Sequence, residues 1–413
     1  LEIKMQKGVA NTLPTSPFTR LRGLLDDVSP PPSGPAPVSL ALGEPQHAPP
    51  SFALSAVSEN IEQYRRYPPI AGTPDWQKAA RGWLERRFGV TDALSQAAQV
   101  LPLNGTREGL FLAAQIAPPK ADGLMVMPDP FYQIYASATY AAGAQPHYLA
   151  ATAQNGFLPD LEALQADVLA RCRALYVCNP ANPQGVVADK AYLAKALKLA
   201  QKHGFLLLVD ECYAEIYDPQ QTPPPSILEV MQETGQHNAP VIAFHSLSKR
   251  SNLPGLRSGI AAGGAEAMQA FADLRQIAGP QCPMPAQAAA ALAWGDDAHV
   301  EDNRARYAEK FDVADSILAG HFSYQRPAAG FFLWLNVGDG EAAALHLWRE
   351  EGLKVLPGGY LAAPETNPDT DLSHAAPYIR VALVADLAVT KDALPRMKTA
   401  LEAFMAQIKG GAA

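Results

Sequence analysis

At 413 residues, 48% hydrophobic and 18% charged, the chain has the composition of a globular protein large enough for two lobes. A formal net charge of −8 argues against nucleic acid or an anionic membrane surface as its main partner. No run of eighteen apolar residues occurs, and the first fourteen residues lack the apolar core of a signal peptide. Cys172, Cys178, Cys212 and Cys282 show neither a C-x-x-C nor a metal-ligand spacing, so the expectation is a cytoplasmic protein with free thiols and no metal.

Residues 1–49 read as an N-terminal arm. It holds a short helix over Pro17 to Asp27, a crossing segment around Pro30 to Pro32, and the string Leu42-Gly43-Glu44-Pro45-Gln46-His47. Tyr64-Arg65-Arg66-Tyr67 and the prolines after it predict a loop, and Pro74 to Phe88 a helix. Val100 to Leu103 is a short strand that runs into Asn104-Gly105-Thr106-Arg107 and a helix to Ala117. A glycine and a threonine at a helix start suit an anion held by backbone N–H groups, and equally a plain N-cap. Gly123 to Met127 is a buried strand ending in Pro128-Asp129-Pro130-Phe131-Tyr132.

A strand over Gln145 to Leu149, a helix near Leu158 to Leu169 and a strand over Ala174 to Val177 follow. The last opens into the turn-forming string Asn179-Pro180-Ala181-Asn182-Pro183-Gln184-Gly185. Asp189 caps a helix with Leu193, Leu197 and Ala200 on one face and Gly204 at its end. Phe205 to Val209 is an apolar strand ending in Asp210-Glu211-Cys212-Tyr213, and Val241 to Phe244 a strand ending in Ser246-Leu247-Ser248-Lys249, with Arg257 eight residues on. Strands alternating with helices predict a mostly parallel sheet with right-handed crossovers, whose ligands sit beyond the carboxyl ends of the strands. Tyr132, Asn182, Asp210, Tyr213, Ser246 and Lys249 all fall at or just past such ends.

Beyond Pro285 helices outnumber strands: helix His299 to Ala319, strand Gly330 to Val337, helix Ala342 to Glu351, strand Leu353 to Leu356, a loop from Pro364 to Pro377, strand Tyr378 to Val384, helix Lys391 to Ile408. The expected division is an arm that also forms part of the small domain (1–49), a large ligand-binding α/β domain (50–290) and a small C-terminal α+β domain (291–413). Arg380 interrupts an otherwise apolar strand. A buried arginine needs an anion, which a substrate carboxylate or an internal salt bridge would provide.

Two serines and an arginine around one lysine give the chemistry its centre. A solvated basic turn is the plain reading of S-x-S-K alone. The sharper reading has Ser246 and Arg257 gripping a phosphate dianion and Lys249, its pKa lowered by burial, forming a Schiff base with a carbonyl. Phosphate, aldehyde and lysine together describe pyridoxal 5'-phosphate (PLP). Asp210 would pair with the pyridine nitrogen, Asn182 and Tyr213 would bond the phenolic oxygen, and Tyr132 would stack on the ring. Taken singly, Asp210 reads as well as a helix cap and Tyr132 as a core aromatic.

In their order along the chain, N-G-T at Asn104, N-P-A-N-P-Q-G, D-E-C-Y, S-L-S-K with its later arginine, and Y-I-R resemble the class I and II PLP-dependent aminotransferases of fold-type I. The resemblance covers Leu42 to the last helix. It implies that Lys249 is the Schiff-base lysine and general base, Asp210 the pyridine partner, and Asn182 and Tyr213 the groups on the phenolic oxygen. It implies Tyr132 as the stacking aromatic and places Gly105, Thr106, Arg107, Ser246, Ser248 and Arg257 around the phosphate side. Arg380 would take the substrate α-carboxylate, with Asn182 and Gly43 beside it. Tyr67 resembles a tyrosine that reaches the neighbouring subunit's phosphate, which implies a homodimer. Ala181 and Gln184 depart from the usual N-P-x-N-P-T-G. Within the family, S-L-S-K-R-S-N-L-P-G-L-R-S-G is similar to succinyldiaminopimelate aminotransferases. That implies glutamate and 2-oxoglutarate as one substrate pair and N-succinyl-2-amino-6-oxopimelate as amino acceptor. A broad aromatic or branched-chain aminotransferase, or a β-lyase on the same fold, is the alternative. Arg22, Arg65 and Arg66 are candidates for the distal succinyl carboxylate, each equally readable as solvated charge.

Overall fold

The arm opens on a helix set by short-range rules and is tied down beyond it by long-range pairing. Pro17 occupies the first turn of α1 (Pro17–Leu25), where its missing N–H costs no bond, and Leu21 and Leu25 are buried. The computed structural model describes residues 15–363 and 374–411, so the stretch read for a signal peptide and most of the loop from Pro364 lie outside the described residues. After α1, β1 (Val38–Ser39) pairs in parallel with Leu353 and Lys354. α2 (Ser51–Glu59) comes next, then α3 (Pro74–Phe88). Thr73 accepts from Trp76 N to cap α3, and Gly89 closes it at φ 65°. Trp76, Ala80, Trp83 and Leu84 form its buried stripe.

The central sheet is built from β2 (Val100–Leu103), β3 (Leu124–Asp129), β4 (Gln145–Ala150), β5 (Cys172–Cys178), β6 (Leu206–Asp210), β7 (Val241–Ser246) and β8 (Gly259–Gly263). Their order is β2-β8-β7-β6-β5-β3-β4. The run from β7 to β4 is parallel, while β8 lies antiparallel to both β7 and β2. β6 and β7 are buried along their whole length, which is why 206–209 and 241–244 read as unbroken apolar runs. β8, Gly-Ile-Ala-Ala-Gly, carries too little apolar bulk to announce itself. At Gly263 an added Cβ would stand 2.0 Å from Val241 O, so the strand needs the bare backbone there.

Helices α4 (Thr106–Ala113), α5 (Gln133–Ala141), α6 (Ala166–Arg171), α7 (Lys190–His203), α8 (Ile227–Glu233), α9 (Leu247–Arg250), α10 (Ala265–Ala278) and α11 (Met284–Gly295) complete this part. The helix predicted to reach Ala117 tightens to a 3-10 turn at Ala114–Ile116. The helix predicted near Leu158 to Leu169 is broken: Asp160 accepts from Glu162 N and closes one 3-10 turn at Leu161–Ala163, and α6 starts only at Ala166. α11 is alanine-rich and buried on most sides, so it shows no amphipathic stripe; it packs against α2 and α3.

The last third comprises α12 (Ala298–Leu318), β9 (Phe332–Asn336), α13 (Gly340–Glu351), β10 (Leu353–Lys354), β11 (Leu356–Pro357), β12 (Tyr378–Ala382) and α14 (Leu387–Gly411). The strand predicted from Leu353 to Leu356 splits in two. β10 joins β1, whereas β11 joins β12 and β9 in an antiparallel sheet. Among the described residues no helix is long and apolar enough to cross a membrane. None of the four cysteines is in a disulfide. No group of three or more metal-ligating side chains is placed to hold an ion among the described residues.

One stretch links the two sheets. From Leu40 to His47 the arm passes between them: Leu40 O accepts from Ala382 N at 2.7 Å and Ala41 O from Arg380 Nη2 at 2.8 Å.

Candidate active site

Where β6 and β7 end, the sheet opens into a cavity of about 760 Å³, closed on the far side by Leu42, Gly43 and β12. Gly43, Thr106, Arg107, Tyr132, Asn182, Asp210, Tyr213, Ser246, Ser248, Lys249, Arg257 and Arg380 all line it. Residues from every third of the chain therefore meet at the carboxyl edge of one sheet.

Lys249 sits on α9, a single turn started by Ser246, whose Oγ accepts from Ser248 N at 3.1 Å. Its amine donates to the carbonyl of Gly43 and lies 5.5 Å from the Phe331 ring centre. Burial lowers its pKa to about 8, with Arg380 and Arg257 pushing the same way and Cys212 and Glu44 opposing. A substantial fraction of this amine is therefore neutral near physiological pH, as a nucleophile or base requires. Gly43 allows the approach, since a Cβ there would stand 2.5 Å from the Phe332 ring.

Asp210, the last residue of β6, is 5% exposed. Tyr135 Oη donates to its Oδ2 at 2.8 Å and Cys212 N to its Oδ1 at 3.3 Å. Burial raises its pKa, while the bonds from Cys212 and Tyr135 and the charge of Lys249 pull it back. Tyr135 was not among the predicted residues. It is buried in α5, stacked on Tyr176 with ring centres 4.5 Å apart. Tyr135 stands three positions after Tyr132, one turn along α5, on the helix face next to it.

An anion cradle faces the lysine. Gly105 has φ 85° immediately before α4, and a Cβ there would stand 2.0 Å from Arg257 Nη2. Arg257 itself has φ 54°, a left-handed backbone that side chains rarely adopt, and donates to Pro254 O at 2.8 Å. With the hydroxyls of Ser246 and Ser248 and the first N–H groups of α4, this set suits a phosphate dianion. Arg107 donates to Tyr132 Oη at 2.8 Å and so stands to one side of the cradle.

Arg380 is buried, and burial lowers its pKa to about 10. It donates to Asn182 Oδ1 at 3.1 Å and to Ala41 O, its Cζ lies 4.2 Å over Phe332, and its buried Nε has no hydrogen-bond partner among the described residues. No carboxylate lies within 4 Å of it among the described residues, so none of them forms the internal salt bridge weighed from the sequence. Tyr213 packs edge-on against Phe331 and Phe332, and burial raises its pKa. Phosphate cradle, buried carboxylate and depressed lysine match the three reactive ends of PLP, so the donor set fits that cofactor.

Tyr67 lies outside the cavity, fully exposed on the single chain, with Tyr64 and Ile61 exposed nearby. Arg22, Arg65 and Arg66 are exposed too, and none lines the cavity.

The family model for aminotransferase class I and II matches residues 36–385. An LL-diaminopimelate aminotransferase of Desulforudis audaxviator is 34% identical over 359 residues, covering 84% of this chain and 88% of that protein. The 4-dedimethylamino-4-oxo-anhydrotetracycline transaminase OxyQ of Streptomyces rimosus is 33% identical over 325 residues, covering 78% and 85%. Among solved structures, an aminotransferase from Neisseria meningitidis Z2491 superposes with a TM-score of 0.87 at 35% identity, covering 95% of this chain and 99% of that one. Aminotransferase AspB from Helicobacter pylori 26695 gives 0.85 at 33% identity, covering 94% and 98%.

Proposed function

The chain belongs to the class I and II aminotransferases, whose cofactor is PLP, and from that premise we propose that it moves an amino group between glutamate and one end of a diaminopimelate-type substrate. The observation that carries the reading is the convergence of Lys249, Asp210 and Arg380 on one cavity. Bound PLP supplies an aldehyde that condenses with primary amines and a pyridine ring that takes up electrons from the substrate Cα.

The side chains divide the remaining work. Lys249 would hold the aldehyde end of the cofactor and, as a free amine, would be the base that moves the proton between substrate Cα and the cofactor's aldehyde carbon, two bonds away. Asp210, whose carboxylate accepts from Tyr135 and Cys212 N, would pair with the pyridine nitrogen and favour its protonated form. Asn182 gives its oxygen to Arg380, which leaves its amide N–H to donate toward the phenolic oxygen alongside Tyr213. Arg257, Ser246, Ser248 and the Gly105–Thr106 backbone take the phosphate, and Tyr132 covers the ring. Arg380 takes the α-carboxylate common to both substrates, with Gly43 closing the wall beside it.

For the acceptor, the segment from Ser246 to Gly259 supports the N-succinylated oxo acid, N-succinyl-2-amino-6-oxopimelate, and the names of several relatives support LL-diaminopimelate itself. Half-reaction spectra discriminate: enzyme converted with glutamate is mixed with the succinylated acceptor, with its unsuccinylated counterpart and with aromatic oxo acids. Fastest return of the starting spectrum with the succinylated acid supports the finer reading. Equal rates for aromatic acids remove the diaminopimelate class and leave the aminotransferase.

A further inference from the structure

The turn that carries Lys249 is too short to satisfy its own carbonyls. α9 spans four residues, and the last four carbonyls of any helix lack intrahelical donors. Here the carbonyls of Lys249 and Arg250 both accept from Asn303 Nδ2, at 3.3 Å each, and Asn303 is 3% exposed on α12. Its other end, Oδ1, accepts from Asn252 Nδ2 at 3.1 Å and lies 3.0 Å from His47 Nδ1. The second ring nitrogen of His47 lies 2.7 Å from Lys310 Nζ, which also donates to Leu383 O at 3.1 Å.

Chemistry assigns every direction in this chain. An ammonium has donors only, so His47 Nε2 accepts and His47 Nδ1 carries the proton. That N–H donates to Asn303 Oδ1, which turns the amide nitrogen toward the two carbonyls, where an oxygen would be repelled. The sequence Lys310 to His47 to Asn303 to the main chain of Lys249 is thus polarised one way throughout.

Its cost is as informative as its geometry. Lys310 is 1% exposed and makes no ion pair within 4 Å among the described residues. Burying a cation against neutral acceptors is expensive, and an apolar side chain of the same length would be the cheaper filling. The anchor at Leu383 O follows β12 directly, so the chain begins at the strand that bears Arg380 and ends at the turn that bears Lys249.

We propose that Lys310, His47 and Asn303 are positioning residues for Lys249, a hydrogen-bonded brace that sets its amine relative to the Arg380 strand. This rests on the reading of Lys249 as the cofactor-bearing base. None of the three lines the cavity, so their effect passes through the lysine turn.

Two variants test the brace. Lys310→Met removes the cation and keeps the volume, and a fold that no longer buries a charge should persist. Asn303→Asp keeps the shape and turns an acceptor on the two carbonyls. In the apoprotein, acetylation of Lys249 is measured at pH 8 against exposed Lys198 as internal reference, and kcat per loaded site and KM for glutamate are measured on the holoenzyme. The brace predicts a change of roughly threefold or more in the relative labelling of Lys249, and kcat lower by roughly tenfold with KM within twofold, as a displaced base requires. Labelling and kcat both within twofold of the parent, whatever happens to the melting temperature, overturn it, as does a loss confined to KM. Borohydride reduction of the holoenzyme judges the underlying reading separately, since fixation of the cofactor on another lysine would remove Lys249 itself.

Discussion

The guanidinium of Arg380 donates to Asn182 Oδ1 at 3.1 Å, so the loop after β5 and the strand β12 share one polar contact at the cavity wall. A second donor of Arg380 is spent on Ala41 O, and its buried Nε has no hydrogen-bond partner among the described residues. That arrangement leaves one buried donor of the fork without a partner among the described residues, beside a cavity lined by the same arginine.

Lysine cannot reproduce the fork. Arg380→Lys is expected to raise KM for glutamate and for the long acceptor alike, by roughly 10- to 100-fold, the cost of a charge-assisted pair. Steady-state kinetics on both substrates check this. Unchanged KM values in both half-reactions would take the carboxylate away from Arg380.

The depressed pKa of Lys249 has a sign that can be measured in the apoprotein. Below about pH 8 the amine is protonated folded and unfolded, so its burial cost is fully present. Between about 8 and the ordinary 10.5 the unfolded chain binds more protons, so this group's contribution to stability rises with pH. Lys249→Met lacks the burdened amine. Its stability advantage over the parent is therefore expected to shrink from pH 7 to pH 9.5 in denaturant titrations, and an advantage that grows would contradict the shift.

Asp210→Asn should keep the phosphate end of PLP bound and lose roughly 10²- to 10³-fold in kcat, because a neutral amide no longer holds a proton on the ring nitrogen. Tyr135→Phe removes one hydrogen bond to that carboxylate, and about a tenfold loss is expected. A pH titration of the bound chromophore should shift in both variants. Near-parental turnover in Asp210→Asn would strip the carboxylate of its role.

Tyr67, Tyr64 and Ile61 are each exposed on the single chain, and the resemblance of Tyr67 to a tyrosine that serves the neighbouring subunit implies that a second copy covers it. Sedimentation is expected to give a dimer, and Tyr67→Phe to weaken PLP retention on dialysis without lowering the melting temperature of the apoprotein. An active monomer would end this assignment.

Legibility in the sequence followed apolar bulk. β6 and β7 contain the apolar runs 206–209 and 241–244, so Asp210 and Lys249 could be placed at or just past strand ends before any coordinates. β8 was invisible because glycine and alanine carry no periodic signal, and with it went the antiparallel reversal beside β7. Helix α5 went unread as well, which hid Tyr135 behind Tyr132. His47 and Asn303 are 256 positions apart, and a hydrogen bond at that separation leaves no local pattern. Tyr67 was legible only by resemblance, since its expected place is in another chain.

The stretch from Leu40 to His47 behaves as a ruler. Within eight residues it touches β12 through Leu40 and Ala41, the lysine amine through Gly43, and α12 through His47. Each contact fixes a different tick, so an added or deleted residue would put at least one of them out of step. Loops elsewhere can absorb length changes at small entropic expense. Variants with one alanine inserted after Glu44, set beside the same insertion in the exposed loop after Asp218, would show whether this part of the enzyme is intolerant of length itself rather than of any particular side chain.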